Sequence, residues 1–342
     1  MKALLLKANE DVALEDVPTP EVLGDDEVLV RVKAVTLNHL DLYSFRGMAF
    51  AERALPIITA AEGVGEVVRL GRRVAPAWEG KRVAVYSAHM CGQCQSCVDG
   101  RENLCTASAG ILGFGRDGLA CEYAVVPERL LVEIPESLPW EQAACAPITF
   151  STVVHMLYDN AKLAKGETVL VHAGGSGIGS AAIKIAKHLG AKVITTVGSD
   201  DKKKRAQAIG ADHAINYRTE RFSREVRKLT DKVGVDVVFE HVGPDTWNES
   251  MLSVKVGGRI VTCGSTTGSS TPMNLHQLFN KQIKIFGSFG ASKANIAQSL
   301  SLMSNDGVAP VIDSTFGLEG YRHGLQKLKD RDVFGKIVVN IH

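Results

Sequence analysis

Four cysteines stand close together in the first third of the chain and could bind a metal ion. Cys91, Cys94, Cys97 and Cys105 follow the spacing C-x2-C-x2-C-x7-C. Four thiolates can enclose one Zn²⁺ in a tetrahedron, and because they leave no position open for water, such a site is structural rather than catalytic. The same residues could hold an iron–sulfur cluster or remain free thiols. We expect one structural zinc, in a lobe of about residues 88–108 that is too polar to form a core of its own.

A glycine-rich turn between a strand and a helix is the second feature that could do chemistry. Residues 168–172 form a short β-branched run, and the residues after the turn have helical apolar spacing. Glycines there would let the backbone approach a pyrophosphate, and the helix N-terminus would offer free N–H groups and a positive dipole end. Because Ser176 replaces the middle glycine of G-x-G-x-x-G, a turn without a ligand remains open. The candidate cofactor-binding residues are Gly174, Ser176, Gly177, Ile178 and Gly179.

Length and composition limit the class of protein. A chain of 342 residues is long enough for two domains with apolar cores. A formal net charge of +1 gives no electrostatic case for a nucleic-acid partner or an anionic membrane surface. We expect no membrane segment, because no apolar run is long enough to span a bilayer. Seven cysteines, an odd number, without a secretion signal predict a cytoplasmic location.

Two patterns of predicted secondary structure divide the chain. Up to about residue 150, alternating strands such as 28–32 and 81–85 are separated by turn residues, which predicts a barrel-like β domain. Beyond that point, strand-like runs alternate with helical patterns, and six such strands with crossovers predict a doubly wound parallel sheet. The six runs are 168–172, 192–197, 213–216, 235–240, 259–263 and 283–289.

The pattern changes again after Gly290. We expect a helix from Ala294 to Asn305, a short helix over 319–329 and a closing strand over 336–341. Because the six-stranded sheet is already complete, the closing strand should rejoin the first domain.

Several motifs, in this order, resemble the medium-chain dehydrogenase/reductase superfamily. They are the cysteine lobe, ILGFGRDGLACEYAVVP, HAGGSGIGSAAIKIAKHLGA and the closing FGKIVV. The resemblance covers nearly the whole chain and implies an α/β protein. A GroES-like β-barrel catalytic domain (1–150 and 291–342) would be joined to a six-stranded, doubly wound Rossmann domain (151–290). The active site would lie in the cleft between them.

The resemblance also shows which ligands of a catalytic zinc are missing. Zinc alcohol dehydrogenases of this superfamily bind that metal with a Cys, with the His of a GHE motif, and with a Cys or Glu near the domain junction. The matching positions here are Asn38, Ala61 and Ile148, with Glu62 retained after the second. A lone His39 beside the first position makes a poor zinc site. We therefore expect a structural zinc without a catalytic one.

The stretch from Asn38 to Tyr43 is similar to the N-x-x-D-x-Y pattern of the quinone oxidoreductase branch. The resemblance implies hydride transfer from a nicotinamide to a quinone or to the β-carbon of an enone, which needs no Lewis acid. Asn38 would bind the carbonyl oxygen that gains charge, or hold the nicotinamide ribose. Tyr43 would donate a hydrogen bond or proton, or else form a pocket wall. Asp41 is expected to cap the local turn.

The second Rossmann strand indicates which dinucleotide is bound. NAD-selective folds place a carboxylate where this chain has Val197, and the residues after it are Gly198 and Ser199. Small residues there leave room for a 2′-phosphate, Lys202 can supply positive charge, and Tyr217 matches a residue beside that phosphate in the quinone oxidoreductase branch. We therefore expect NADP(H). The other contacts carried over from the superfamily are Thr152 against the nicotinamide, the backbone at Val242 and Gly264, and Lys336 near the cofactor's phosphates.

Three functions remain open from the sequence. The first is an NADPH-dependent reductase of a quinone or an α,β-unsaturated carbonyl (an enone or enoyl thioester). The second is a zinc-type alcohol or aldehyde dehydrogenase, and the third is an NADPH-binding non-enzymatic or redox-sensing protein. The edge strand near 282–289 is expected to form a homodimer or tetramer. Candidate pocket walls are Phe45, Met48, Phe50, Ile111, Phe114 and Phe289.

Overall fold

The computed structural model describes residues 1–47, 53 and 55–342, so the pocket-wall candidates Met48 and Phe50 lie outside the described residues. The chain divides into two compact units. The first unit comprises Met1–Ser151 together with Ala291–His342, and the second comprises Thr152–Gly290. In the described ranges, no helix combines the length and the apolar character that crossing a membrane requires.

The strands are given first, in chain order. They are β1 (Lys2–Ala8), β2 (Asp11–Asp16), β3 (Glu27–Thr36), β4 (Ile57–Ile58), β5 (Glu62–Leu70), β6 (Arg82–Val85), β7 (Tyr123–Pro127), β8 (Leu131–Glu133), β9 (Thr168–Val171), β10 (Lys192–Val197), β11 (His213–Asn216), β12 (Val235–Glu240), β13 (Val254–Thr262), β14 (Lys284–Gly287), β15 (Ile312–Phe316) and β16 (Lys336–Asn340).

The helices complete the set. They are α1 (His39–Arg46), α2 (Gln95–Val98), α3 (Trp140–Ala143), α4 (Ser151–Val154), α5 (Gly177–His188), α6 (Asp200–Ala208), α7 (Phe222–Leu229), α8 (Pro244–Ser253), α9 (Leu275–Asn280), α10 (Lys293–Asn305) and α11 (Tyr321–Lys329). Two π-helical segments, Ala146–Phe150 and His155–Asn160, flank α4.

The first unit is built around a seven-stranded sheet with the order β15-β16-β3-β5-β6-β8, in which β7 also pairs with β3. A smaller sheet has the order β2-β1-β4. The closing strand β16 pairs antiparallel with β3, with Val338 opposite Thr36. Strand β3 is buried along most of its length because it has partners on both edges and apolar side chains such as Val30 and Val35. The β domain predicted from alternating strands is present.

The second unit contains the predicted doubly wound sheet. All five strand pairs are parallel and the order is β11-β10-β9-β12-β13-β14. The order reverses between β9 and β12, and in such sheets the crevice at the carboxyl ends of these strands is where dinucleotides bind. The apolar faces of α7 and α8 pack on the sheet through Phe222, Val226, Trp247 and Met251.

Two strands of the parallel sheet differ from the sequence expectation by more than one residue at a boundary. Strand β13 begins at Val254, five residues before the expected start at 259, because Val254 pairs with Val235 ahead of a register shift. Gly257 follows with φ +72°, a conformation that glycine adopts without strain. Strand β14 is shorter than the expected run 283–289, since only Lys284–Gly287 pair with β13.

Candidate functional site

The four cysteines of the lobe converge on one point. The Sγ–Sγ distances are 3.5 Å between Cys91 and Cys105, 3.6 Å between Cys94 and Cys97, and 3.9 Å between Cys91 and Cys97. All four sulfurs lie within 4.8 Å of one another. A ZnS₄ tetrahedron with its usual bond length has edges of about 3.8 Å. The donor set and its spacing fit one structural zinc ion.

Backbone N–H groups favour the thiolate form at two of these sulfurs, those of Cys91 and Cys94, whereas burial raises the pKa of Cys97. The N–H groups of Gln93 and Cys94 lie 3.5 and 3.3 Å from the Cys91 sulfur and lower its pKa. Those of Cys97 and Thr106 lower the pKa of Cys94 to about 6. Because the thiolate is the form that binds metal, the loop is arranged to hold a cation.

The three positions that matched catalytic zinc ligands also come together, in the first unit. Asn38 Nδ2 donates to Glu62 Oε2 at 2.9 Å, and the Ile148 N–H donates to Glu62 Oε1 at 2.7 Å. Ala61 directly precedes that glutamate. The positions therefore surround one carboxylate, but they present an amide, a methyl group and an aliphatic chain. This donor set does not fit a catalytic zinc.

A lysine ammonium lies among these positions. Lys336 Nζ donates to Asn38 Oδ1 at 2.8 Å, Thr149 Oγ1 at 2.8 Å, Glu62 Oε2 at 2.9 Å and the Leu37 carbonyl at 3.0 Å. Its side chain is 3% exposed. The sequence placed Lys336 beside the cofactor phosphates; instead, its ammonium is buried in the first unit, with more acceptors around it than it has protons.

Hydrogen bonds and charge keep the Glu62 carboxyl ionised although it is fully buried. Burial acts to raise its pKa, but the Lys336 charge and hydrogen bonds from Thr36 and Asn38 hold the pKa below its ordinary value. The Thr149 N–H also donates to Oε1, at 2.7 Å. The Asn38 amide is thereby fixed, with Nδ2 facing the carboxylate and Oδ1 facing the ammonium.

Asp41 has the capping role expected from the sequence. Its carboxylate accepts the N–H of Asn38 at 2.7 Å and that of Ala61 at 3.2 Å, so it joins the start of α1 to the turn before β5. Burial raises the pKa of Asp41 to about 6. Tyr43, on the same helix, is half-buried, and burial raises the pKa of its phenol. The phenol therefore stays protonated at neutral pH.

The glycine-rich turn lies between β9 and α5 in the second unit. A Cβ at Gly179 would stand 2.2 Å from the Ala173 carbonyl oxygen, and one at Gly174 would stand 2.3 Å from Thr195 Oγ1, so both positions require glycine. The Ser176 hydroxyl accepts the Gly179 N–H at 3.0 Å and caps α5. The N–H groups of Gly177 and the next residue, Ile178, belong to the first helical turn and have no acceptor within the helix. The turn fits a pyrophosphate, with Ser176 acting as the helix cap.

The residues expected near a 2′-phosphate gather at the end of β10. Ser199 caps α6 by accepting the Lys202 N–H at 3.2 Å. A Cβ at Gly198 would meet the Tyr217 hydroxyl at 2.7 Å and Arg218 Nε at 3.7 Å, so both side chains lie against this glycine. The sequence reasoning missed Arg218, although its position directly after Tyr217 was the available signal.

The remaining residues expected to contact the cofactor differ in burial and in whether their backbone polar groups are already hydrogen-bonded. The Val242 N–H donates to Glu240 Oε1 at 2.8 Å and its carbonyl accepts from Thr267, so its backbone polar groups are engaged within the unit. Gly264 is exposed, whereas Thr152 is buried in α4. The sequence also gave no sign that Glu240 is important, because it was predicted only as the last residue of the strand run 235–240.

Comparison with known proteins gives consistent results for both halves of the chain. Residues 24–136 match the family model described as an alcohol dehydrogenase GroES-like domain, and residues 177–305 match that of a zinc-binding dehydrogenase. Together these matches cover more than half of the 342 residues.

Individual relatives cover the full length. The acryloyl-coenzyme A reductase of Sulfurisphaera tokodaii is 32% identical over 343 residues, with 99% of each chain covered. The L-threonine 3-dehydrogenase of Legionella pneumophila strain Corby is 29% identical, with 99% of this chain and 100% of that one covered. A solved structure titled as an NAD-dependent alcohol dehydrogenase superimposes with a TM-score of 0.94 at 37% identity, covering 100% of both chains.

Proposed function

Because this chain belongs to the medium-chain dehydrogenase/reductase superfamily and is an NAD(P)-dependent oxidoreductase, we propose that it uses NADPH to reduce the double bond of an α,β-unsaturated carbonyl. An enoyl thioester is the preferred substrate class within this proposal. A quinone is the related acceptor that the same chemistry would serve.

The observation that carries the proposal is the environment of Lys336. Its ammonium lies 2.8 Å from the Asn38 side chain and 2.9 Å from Glu62, among the positions that would have to supply zinc ligands. A fixed positive charge repels a second cation at short range in a buried site. Reduction of a polarised double bond suits such a site, since hydride addition at the β-carbon needs hydrogen-bond donors at the carbonyl and no metal.

The relative from Sulfurisphaera tokodaii supports the thioester. Its name describes a reductase of acryloyl-coenzyme A, which is an α,β-unsaturated thioester. The identity of 32% over the full length favours a substrate with the same α,β-unsaturated thioester group for the present chain. It does not specify the acyl group.

Within this proposal, the residues of the chain have the following roles. Bound NADPH supplies the hydride. The Tyr43 phenol, whose pKa is raised by burial, is the candidate hydrogen-bond donor to the substrate carbonyl oxygen, and the α-carbon takes its proton from solvent. Asn38, whose amide is held by Glu62 and Lys336, presents a fixed polar surface rather than a mobile donor. The zinc of the cysteine lobe stabilises its loop and takes no part in the reaction.

The preference for NADPH rests on the end of β10. Val197 is buried and provides no carboxylate for a ribose diol. Tyr217 and Arg218 lie against Gly198, and Lys202 follows in α6, so Arg218 and Lys202 would supply positive charge to a 2′-phosphate.

We also infer that the protein forms a homodimer. Strand β14 is an edge of the six-stranded sheet in the described residues, and Phe289, just after it, is 67% exposed. An unprotected edge strand beside exposed apolar surface favours pairing with a second copy.

A substrate panel tests the proposal. Purified protein is mixed with NADPH or NADH and with acryloyl-coenzyme A, a simple enone or a quinone, and in parallel with NADP⁺ or NAD⁺ and a series of alcohols. We expect oxidation of NADPH with the thioester or enone and no oxidation of alcohols. Alcohol oxidation together with two zinc ions per chain would overturn the proposal and favour a zinc-type alcohol dehydrogenase. The solved structure with the TM-score of 0.94 is described as an NAD-dependent alcohol dehydrogenase.

A further inference from the structure

Four buried side chains in the second unit form a continuous hydrogen-bond chain that the site described above does not use. They are Thr196 at the end of β10, His172 just after β9, Ser250 on α8 and Glu240 at the end of β12, and we call them the strand-end clamp. His172 Nδ1 lies 3.1 Å from Thr196 Oγ1, and its Nε2 lies 2.8 Å from Ser250 Oγ. Ser250 Oγ donates to Glu240 Oε2 at 2.7 Å.

The protonation states of the four residues of the strand-end clamp are consistent with a single direction of hydrogen-bond donation. Burial lowers the pKa of His172, so its ring is neutral. For Glu240, burial acts to raise the pKa, but the hydrogen bonds from Ser250 Oγ and the Val242 N–H hold it below its ordinary value. The Thr196 hydroxyl then donates to His172 Nδ1, Nε2–H donates to Ser250, and Ser250 donates to the carboxylate. Each member is satisfied, although at most 2% of any one is exposed.

Glu240, at one end of the strand-end clamp, fixes the loop of residues 241–243 where the strands of the sheet end. Glu240 Oε1 accepts the N–H groups of His241 at 3.0 Å, Val242 at 2.8 Å and Gly243 at 3.2 Å. Gly243 is the N-cap of α8, with φ +96°. The buried charge therefore fixes three successive peptide groups and the start of a helix.

The threonine end holds the glycine-rich turn. Thr196 Oγ1 accepts the Ala173 N–H at 3.2 Å, and the Thr196 carbonyl accepts the Gly174 N–H at 2.9 Å. Ala173 has φ +48°, a conformation that L-residues rarely adopt without outside support. The His241 ring closes the arrangement, since its Nε2 lies 3.0 Å from the His172 carbonyl oxygen.

We propose that the strand-end clamp is a positioning device for the dinucleotide, which sets the spacing between the glycine-rich turn and the 241–243 turn before the cofactor arrives. The proposal rests on the dinucleotide site assumed in the proposed function. The four side chains are too deeply buried to touch the cofactor, so they act through the backbone that they hold. Loops ordered in advance lose less entropy on binding, which raises affinity without adding any contact.

A matched pair of serines on α8 tests this role. Ser250 and Ser253 are both 0% exposed, but only Ser250 belongs to the clamp, because the Ser253 hydroxyl donates to the Glu249 carbonyl at 2.7 Å. Dinucleotide affinity is measured by fluorescence titration of the full-length, zinc-containing protein. We expect Ser250→Ala to weaken binding about 10-fold and Ser253→Ala to change it by less than about 2-fold, in line with the loss of a buried hydrogen-bond partner.

A second readout needs no cofactor. In the free protein, amide hydrogen exchange of a peptide containing residues 241–243 should be faster in Glu240→Gln and Ser250→Ala than in wild type, and unchanged in Ser253→Ala. Restoration of slow exchange and of affinity by Glu240→Asp relative to Glu240→Gln would identify the carboxylate as the active feature. Should Glu240→Gln fail to fold, the serine pair still decides the matter.

The result for the clamp is separable from that for the proposed function. Wild-type titrations with NADPH and with NADH test the cofactor preference, while the ratio of variant to wild-type affinity for the tighter dinucleotide tests the clamp. Equal affinities for Ser250→Ala and Ser253→Ala, or unchanged exchange at 241–243, would overturn the positioning role whichever dinucleotide binds. A wild-type protein that binds neither dinucleotide would overturn both proposals.

Discussion

Lys336 and Glu62 form a buried ion pair at 2.9 Å, between residues that are 274 positions apart in the sequence. The lysine belongs to β16 and the glutamate begins β5, so the pair connects the two stretches of chain that make up the first unit. Neither side chain is exposed by more than 3%. The side chains of Asn38 and Thr149 each bond to both members.

Replacement of the lysine alone should destabilise the protein strongly. Lys336→Met removes the charge that compensates Glu62 and leaves a buried carboxylate without its cation, which typically lowers the free energy of unfolding by about 3–5 kcal/mol. Urea unfolding followed by circular dichroism measures the change. The double variant Glu62→Gln/Lys336→Met should recover part of the loss, because no uncompensated charge remains.

The exposed pair of Lys81 and Glu133 provides the control. Their contact is 2.6 Å, but the side chains are 42% and 57% exposed, so water screens them. Lys81→Met should therefore change the unfolding midpoint far less than Lys336→Met. Equal effects of the two substitutions would show that the Lys336 pair is not the stabilising feature that its geometry indicates.

Zinc content tests the cysteine lobe directly. Elemental analysis of protein purified without chelator should give about one zinc per chain, because four thiols at tetrahedral spacing bind one ion. Cys94→Ser should lose this zinc and lower the melting temperature, since binding free energy contributes to folding. Cys121→Ala, which removes a buried thiol outside the lobe, should keep it. Two zinc ions per chain in the wild type would reveal a second site.

The fold was predictable because its signals are local and repeated. Runs of β-branched residues predicted the six strands of the parallel sheet, and five of them begin within one residue of the expected position. The start of β13 at Val254 was missed because its first residues are interrupted by Gly257 and Gly258, whose pattern indicates a turn. Hydrophobic periodicity therefore located the sheet but not the irregular pairing between β12 and β13.

Side-chain partners were much harder to predict than elements. Nothing in FGKIVV distinguishes a lysine that faces a phosphate from one that faces Glu62 far away in sequence, since only tertiary packing decides between them. Ser176 could have been assigned better, because a serine three residues before Gly179 at the start of a helix is a typical N-cap. The convergence of Asn38 and Ile148 was foreseeable only through the superfamily resemblance.

Arg218 should contribute to the choice between the two dinucleotides. We expect Arg218→Ala to weaken NADPH binding about 10-fold, as for the loss of a charge-assisted hydrogen bond to phosphate, and to leave NADH binding within about 2-fold. Fluorescence titration with both dinucleotides gives the comparison. Lys204→Ala, on the exposed face of α6, is the matched loss of charge and should affect neither. A parallel loss of affinity for both dinucleotides would speak against a phosphate contact.

The edge of the parallel sheet should carry the subunit contact. Phe289→Asp places a charge beside β14 in each copy, so the two copies would repel one another across a shared edge, and we expect a shift from dimer to monomer in sedimentation equilibrium. Val233→Asp introduces the same charge at a residue that is 63% exposed in a different loop and should leave the dimer intact. A monomeric wild type would show that there is no dimer contact. A dimer that is insensitive to Phe289→Asp would show that the contact lies elsewhere.

Asp41 should make stability depend on pH in an unusual direction. Its pKa is raised from 3.8 to about 6 by burial, so between these values the folded state binds a proton that the unfolded state has lost. The contribution of Asp41 to the free energy of unfolding is therefore greatest below about pH 4. It falls as the pH rises through 6, by roughly 3 kcal/mol in total. Glu62, whose pKa is lowered, acts in the opposite direction, so the effect has to be measured as a difference.

Asp41→Asn isolates this contribution because it retains the size of the side chain and removes the titration. The variant loses one acceptor for the N–H groups of Asn38 and Ala61, so it should be less stable than wild type at pH 4, where the wild-type carboxyl is neutral. The difference in unfolding free energy should shrink or reverse by pH 7, where the wild type retains a buried charge. Urea unfolding of both proteins at several pH values measures it. A difference that stays constant from pH 4 to pH 7 would show that the Asp41 carboxyl titrates at its ordinary pKa.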